Sequence, residues 1–455
     1  MTVLGGLRAR LSQVSQAWIR PENDRPQAGL YAFRRESPGE QTRIHLRIDP
    51  DGQGLLMVNA SQVYHLNPSG ASMAYLALSE KPAAEAVRTL TRLYNIRLEQ
   101  ARVDYAQFNE RLEGLLHPDG ACPIHDLELE TTLPFSARPS APYRMDLALT
   151  YRCNNGCAHC YNARPRSHPE LSTAEWMRIL DRLWNLGIPH IVFTGGEPTL
   201  REDLPDLVAH AEQNGQITGI NTNGRRLADP DYLARLVDAG LDHAQITLES
   251  HDPAIHDHMV HARGAWDQTT AGLRNTLSTR LFVMTNTTLL QENSPFLAET
   301  LDFLAEMRVP TIGLNALIYS GRGLTVGTGL AENSLPPLLD LAKQRTQAAD
   351  QRLIWYTPTE YCHFDPVLLE LGVKGCSAAL YNMCVEPDGS VIPCQSYYQT
   401  LGSLLSDPWE SIWNHELAIR LRERRNLPGK CLGCSLLPEC GGGCPLSRQA
   451  NLAAA

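Results

Sequence analysis

From Met145 onward, short apolar runs alternate with longer amphipathic stretches. Met145–Thr150, His190–Thr194, Thr218–Asn221, His243–Leu248, Leu281–Thr288 and Thr311–Ile318 read as strands. Thr173–Leu186 and Leu204–Asn214 carry the helical period between them. Six βα units in series predict an α/β fold over 144–345, a parallel sheet curled into a partial (β/α)6 TIM-type barrel. Folds of this kind place their chemistry at the C-terminal ends of the strands.

The pattern differs on either side. In 1–117, Thr42–Ile48 and Leu55–Leu66 read as two strands joined by a turn at Asp49-Pro50-Asp51-Gly52. Helices are expected over Ser69–Leu78, over Ala83–Tyr94 with Ala86, Val87, Leu90 and Leu93 on one face, and over Val103–Leu115. Together they make a small α+β domain. Residues 118–143, with Pro118, Pro123, Pro134, Pro139 and Pro142, read as a linker. Residues 346–455 hold eight of the twelve cysteines and little apolar sequence for a core of their own, so metal is expected to organise them.

A formal net charge of −10 sets aside nucleic acid and anionic membranes as default partners. With no 18-residue apolar run and no signal-peptide core, the sequence reads as a soluble, cytoplasmic protein. Tightly clustered cysteines in a long chain of this kind point to metal ligation rather than disulfides.

The first cluster follows the first barrel strand: Cys153-Asn-Asn-Gly-Cys157-Ala-His-Cys160-Tyr161. Three thiolates on a [4Fe–4S] cube leave one iron open to a substrate or cofactor. A structural zinc site with His159 as fourth ligand is the alternative. The spacing Cys153-x3-Cys157-x2-Cys160, followed by an aromatic, resembles the signature of the radical S-adenosylmethionine (SAM) superfamily. Thr194-Gly195-Gly196-Glu197-Pro198 after the second strand resembles that family's glycine-rich motif, and Asn221-Thr222-Asn223-Gly224 after the third stands at a family position. The resemblance implies that the open iron chelates the SAM amino and carboxylate groups. Gly195 and Gly196 would let backbone approach the methionine moiety, and Glu197 would accept from its amino group. By family position, Thr247 and Arg263 would hold the carboxylate or ribose, Asn223 would line the site, and Tyr161 would pack near the adenine. An external one-electron reductant such as flavodoxin or ferredoxin is implied as well. His251, Asp252, His256 and Asp257 are barrel-rim candidates for a general base, or parts of an ordinary loop.

Two further patterns follow, Cys376-x12-Gly389-x4-Cys394 around a turn at Pro387-Asp388-Gly389, and Cys431-x2-Cys434-x5-Cys440-x3-Cys444. Taken alone the quartet also fits a zinc knuckle. Together the patterns resemble the SPASM domain, which usually houses two auxiliary [4Fe–4S] clusters behind radical SAM barrels, so one or two auxiliary [4Fe–4S] clusters are expected here. The resemblance implies Cys376, Cys394 and Cys444 on the first cluster and Cys431, Cys434 and Cys440 on the second. The family's last cysteine is missing, so the second cluster is expected to use a distant ligand, keep an open iron, or be absent. Cys362 or Cys384 is expected to complete the first, with Cys362 preferred. Cys122 is read as a non-ligand.

Val63-Tyr64-His65-Leu66-Asn67-Pro68-Ser69-Gly70-Ala71, with Leu93-Tyr94 and the helix from Val103, resembles the pyrroloquinoline quinone biosynthesis protein D family. That family is a winged-helix-like module that grips a peptide leader as an added strand. The combination implies an enzyme that modifies a ribosomally made precursor peptide. The competing expectations are a radical SAM enzyme for a small molecule or folded protein, and a non-enzymatic zinc-stabilised binding protein.

Overall fold

The computed structural model describes residues 25–37, 40–59, 62–116, 139–163, 169–425 and 427–454. Cys122 and most of the expected linker lie outside them. The chain divides into two compact units, Met1–Ser140 with Trp184–Pro189, and Ala141–Leu183 with His190–Ala455.

In the first unit, β1 (Gly29–Ser37), β2 (Glu40–Ile48), β3 (Gly54–Val58) and β4 (Gln62–Leu66) form an antiparallel sheet in chain order. The run expected as one strand over Leu55–Leu66 is two. Asn59 takes a left-handed φ of 50°, and Val58 pairs with Gln62 across the reversal. β1 was not foreseen: its apolar content is thin, and its strand character comes from the nine-residue ladder to β2. Helices α1 (Pro68–Leu78), α2 (Ala83–Tyr94) and α3 (Leu98–Leu116) follow. Asn67 starts α1 by accepting from Gly70 N–H, with Pro68 in the first turn. Ile44, Leu46, Leu56, Ala74, Leu90 and Leu112 belong to one buried core.

The second unit is built on a ten-stranded sheet. Strands β5 (Arg144–Thr150), β6 (His190–Gly195), β7 (Ile217–Thr222), β8 (His243–Thr247), β9 (Phe282–Thr288), β10 (Thr311–Asn315) and β11 (Arg352–Trp355) run parallel. The crossovers carry α4 (Thr173–Asn185), α5 (Leu204–Asn214), α6 (Pro230–Asp238), α7 (Pro253–Val260), α8 (Ala265–Leu277), α9 (Leu297–Glu306) and α10 (Pro336–Ala348). Their apolar runs, such as the fully buried Ile191, Val192 and Phe193, are what strands covered on both faces require. All six expected strands are present. A seventh, β11, lies beyond the boundary placed at 345, and β12 (Asn382–Val385) adds parallel to β5 at the other side. β13 (Ser390–Ile392) and β14 (Gly402–Ser403) continue that edge antiparallel. The cysteine-rich segment therefore extends the barrel's sheet rather than forming a separate one. Its helices are short, α11 (Trp409–Trp413), α12 (Glu416–Arg422), α13 (Leu437–Cys440) and α14 (Pro445–Ala454).

Polar side chains fill the N-terminal ends of the barrel strands. Arg144 Nε donates to buried Asp146 Oδ1 (2.8 Å), and the Nε2 atoms of His190 and His243 lie 2.9 Å apart. Gly219 makes room for that pair, because a Cβ there would lie 1.9 Å from the His243 ring. Among the described residues no helix is long and apolar enough to cross a membrane.

Candidate metal and cofactor centre

At the opposite ends of the strands, the loop Tyr151–Tyr161 is held from three sides. The β6 end holds it first: Gly196 N–H donates to Thr150 C=O (2.7 Å) and Glu197 N–H to Arg152 C=O (2.9 Å). Added Cβ atoms at Gly195 and Gly196 would fall 2.2 Å from Thr150 O and 2.3 Å from Arg152 O. Backbone packing alone thus demands both glycines, beside any role toward a ligand. The end of α7 is the second support, where Val260 and Met259 carbonyls accept from Gly156 (2.8 Å) and Ala158 (3.1 Å). The third is the turn after β10, where Arg322 N–H donates to Cys160 C=O (2.9 Å). Gly321, at φ +56°, passes so close that a Cβ would sit 2.5 Å from Tyr161 O.

This frame gathers Cys153, Cys157 and Cys160. Burial first, and then the charges of Glu197 and Cys160, push the Cys153 thiol up to about 11. Burial, Glu249 and the other two thiols hold Cys157 higher still. Massed thiols that resist ionisation alone are a donor set for a cationic metal centre, which takes up the thiolate charge.

Around the loop, buried Glu197 is saturated by protein donors. Oε1 accepts from Thr199 N–H (3.1 Å), Thr199 O–H (2.7 Å) and Thr222 O–H (2.7 Å), and Oε2 from Asn223 N–H (2.8 Å). Burial raises its pKa, and these bonds oppose the rise. Asn223 Nδ2 donates to Asn154 Oδ1 on the cysteine loop (2.7 Å). Thr247 is half-buried at the end of β8, and Arg263 is exposed between α7 and α8. Tyr161 O–H donates to Gln395 Oε1 (2.9 Å). The four rim candidates have structural partners. Asp252 caps α7, Asp257 accepts from Gly264 and Trp266 N–H groups, and His256 Nδ1 accepts from Glu249 N–H. His251 Nδ1 lies 3.3 Å from Thr300 Oγ1.

Sequence reasoning passed over Glu249 and Gly321. Glu249 is fully buried, its Oε1 3.0 Å from His159 Nε2 and its Oε2 accepting from Thr288 N–H (2.9 Å). Burial opposes a charged His159, yet Glu249 carries its pKa upward. His159 Nε2 is therefore committed to Glu249, while its Nδ1 is buried with no hydrogen-bond partner among the described residues. A lone carboxylate after β8 carries no motif, and only the fold brings it to the cysteine loop.

The C-terminal thiols fall into two groups. Cys376 and Cys394 sense each other or Cys444, and burial pushes Cys376 up to about 12 while Arg448 and Arg424 pull it back. Cys384 is elsewhere, wholly buried in β12 with Ala148 and Ile392. In the second group Cys431 senses Cys440, and Cys440 Sγ accepts from Tyr361 N–H (3.3 Å). Cys362, expected with the first group, stands beside the second: Lys430 Nζ reaches its Sγ at 3.5 Å. The reason is that Thr359–Tyr361 packs on Cys440, which carries the following residue to Lys430, the neighbour of Cys431. A cavity of about 730 Å³ opens beside Cys376 and is lined also by Glu360, His363, Lys430, Arg424 and Arg448. It offers room and positive charge beside that thiol.

The Radical SAM superfamily model matches residues 147–304, which carry the three-thiol loop and the glycine-rich strand end. An iron–sulfur cluster-binding domain model (SPASM) matches 376–435. The Fe-coproporphyrin III synthase of Methanosarcina barkeri is 29% identical over 328 residues, 65% of this chain and 81% of that protein. The PqqA peptide cyclase of Xanthomonas campestris pv. campestris is 29% identical over 314 residues, 67% of this chain and 82% of that protein. The crystal structure of Streptococcus suis SuiB bound to precursor peptide SuiA superposes with a TM-score of 0.70 at 18% identity, over 93% of this chain and 97% of that one. Residues 147–304 thus carry a Radical SAM domain and residues 376–435 a SPASM iron–sulfur domain, and these domains imply a [4Fe–4S] cluster and SAM as cofactors, with auxiliary iron–sulfur clusters behind the barrel.

Proposed function

We propose that this protein is a maturase that removes a hydrogen atom from a ribosomally made peptide, installing a crosslink or related modification. The observation that carries this reading is the reach of the fold likeness. It spans 93% of the chain, including the N-terminal unit, and the matched enzyme was solved with its precursor peptide. The β1–β4 sheet supports it, since β1 and β4 each pair on one side only within that sheet. Such an edge can take an added strand, with main-chain bonds giving affinity and pockets selectivity.

A [4Fe–4S] cluster and SAM bound here would supply a 5′-deoxyadenosyl radical able to remove a hydrogen atom from an unactivated carbon. The chain's own residues position and shield that chemistry. Cys153, Cys157 and Cys160 are the ligands of the first cluster, presented by a loop that three backbone contacts fix in place. Gly195, Gly196 and Glu197 form the wall beside it, with Asn223, Thr247, Arg263 and Tyr161 as further SAM contacts. Cys376, Cys394 and Cys444 hold the first auxiliary cluster. It stands next to the barrel mouth, because Ser320 O–H donates to Ser396 C=O (2.9 Å) and Tyr151 O–H to Glu386 Oε1 (2.6 Å). An external flavodoxin- or ferredoxin-type reductant would deliver the electron in the cytoplasm.

A second reading is favoured by the similarity to the coproporphyrin enzyme: a tetrapyrrole substrate. The test begins with anaerobic purification, reconstitution, and assay of 5′-deoxyadenosine with dithionite and SAM. Synthetic peptides from short reading frames beside the gene, and Fe-coproporphyrin precursors, are then offered separately. A mass change in a peptide, lost when residues 1–117 are deleted, supports the maturase. Consumption of the porphyrin alone would replace it with the second reading. No nucleoside from iron-loaded protein would remove both.

A further inference from the structure

We propose that Cys362 is the fourth protein ligand of the second auxiliary cluster, alongside Cys431, Cys434 and Cys440. The inference rests on the iron–sulfur reading of the C-terminal cysteines. Within the quartet, Cys444 lies close enough to Cys376 and Cys394 for their charges to act on one another, which leaves Cys431, Cys434 and Cys440 for the second centre. Positions 445–455 hold no cysteine.

A thiol from elsewhere in the fold stands beside these three. The segment Thr359–Tyr361 is anchored on Cys440, whose Sγ accepts from Tyr361 N–H (3.3 Å) and donates to Thr359 C=O (3.6 Å). Cys362 is the next residue. From the other side Lys430, neighbour of Cys431, places Nζ 2.8 Å from Glu360 Oε2 and 3.5 Å from Cys362 Sγ. Cys362 is exposed, so it has no packing role that a thiol in particular would serve. The remaining alternative thiol, Cys384, is fully buried and bonds its own strand through Val385 C=O (3.6 Å).

Ligation needs no oxidant or reductant. The Cys362 Sγ–H bond breaks, its proton passes to solvent, and an Sγ–Fe bond forms, with the Lys430 ammonium offsetting negative charge. Glu360, Cys362 and His363 also bring ligand atoms within 4.8 Å of one another, a possible mononuclear metal site. Two of the three are otherwise engaged: Glu360 Oε2 with Lys430, and His363 Nδ1 with Glu332 Oε2 at 2.7 Å. The cluster is the better use of the thiol.

The full-length protein and its Cys362→Ala, Cys362→Ser and Cys384→Ala variants are reconstituted without oxygen. Iron, sulfide and zinc are counted per chain, and Mössbauer and EPR spectra recorded. Parent protein should carry about twelve irons, as three cubanes. Cys362→Ala should lose about four, or lose one and show a three-iron EPR signal. Cys362→Ser should keep its iron with an altered spectrum, and Cys384→Ala should match the parent. A Cys362→Ala protein with the parent's iron count and spectra overturns the assignment and leaves the iron–sulfur reading intact. So does a zinc ion lost with Cys362 while iron holds. A parent that loads zinc in place of iron overturns the iron–sulfur reading itself.

Discussion

The two cysteine regions of this protein reach their geometry by opposite routes. Cys153, Cys157 and Cys160 sit on a loop tied to the ends of β5 and β6, to the last turn of α7 and to the Gly321 turn. These supports are backbone hydrogen bonds and close packing rather than bonds to a metal. The C-terminal thiols sit on turns and on helices as short as the four residues of α13. Cys394 profits from the β12–β13 hairpin, but Cys431, Cys434 and Cys440 have almost no regular structure to hold them. A scaffold that preorganises its ligands leaves the metal free to do chemistry, whereas a segment that lacks a scaffold takes its order from the metal.

The sharpest way to break the contrast is to damage the scaffold side. Gly196→Ala would put a Cβ 2.3 Å from Arg152 O and 2.7 Å from Tyr151 O. Both are backbone atoms, so the strand ends must part. We expect a cost above about 3 kcal/mol, with loss of iron from the first site and of nucleoside formation. Thermal denaturation and an iron count check this, and a variant with the parent's melting temperature would remove the claim that the loop is preorganised.

Removing iron tests the other side. In chelated protein, amides of 359–362 and 428–444 should lose protection from hydrogen exchange by about 100-fold or more, while β5–β10 change by less than about threefold. Equal losses in both would mean that the barrel loop, too, is ordered by its cluster.

The same distinction explains what the sequence discloses. Six strands and both cysteine patterns are legible because parallel, doubly covered strands read as apolar runs and metal ligands recur at short spacing. Less visible is whatever depends on partners far along the chain. β12 is only Asn382–Val385, and its place beside β5 is a pairing across more than 200 residues that no local pattern encodes. Glu249 owes its meaning to His159, and Cys362 to Cys440, through folding alone. The Leu55–Leu66 run misled because one left-handed Asn59 splits an otherwise continuous β pattern.

The closed end of the barrel offers a smaller, metal-independent test. Burial first, and then Arg144, lowers the His243 pKa to about 4. The unfolded chain takes up this proton near pH 6.5, and the native protein refuses it until about pH 4. Stability from this residue is therefore complete above about pH 6.5 and is lost as pH falls toward 4, by about 1–2 kcal/mol once the ring's partial exposure is allowed for. His243→Gln should flatten the fall in melting temperature between pH 7 and 5. If parent and variant fall in parallel, the ring is not the titrating group.

The smallest effect concerns the joint between the two regions. Tyr161 follows Cys160, and its hydroxyl donates to Gln395, the neighbour of Cys394, so one hydrogen bond links the two cysteine frames. Tyr161→Phe keeps the ring and removes that bond, leaving the Gln395 carbonyl oxygen to find water. The expected cost is about 1 kcal/mol, with iron content unchanged and the SAM dissociation constant within about threefold of the parent. Calorimetric titration of SAM decides between this linking role and a direct bond from the hydroxyl to the cofactor. Weakening by tenfold or more in the Phe variant, about 1.4 kcal/mol, would exceed what a remote linking bond transmits. That result would move the Tyr161 hydroxyl from the joint into the cofactor site itself.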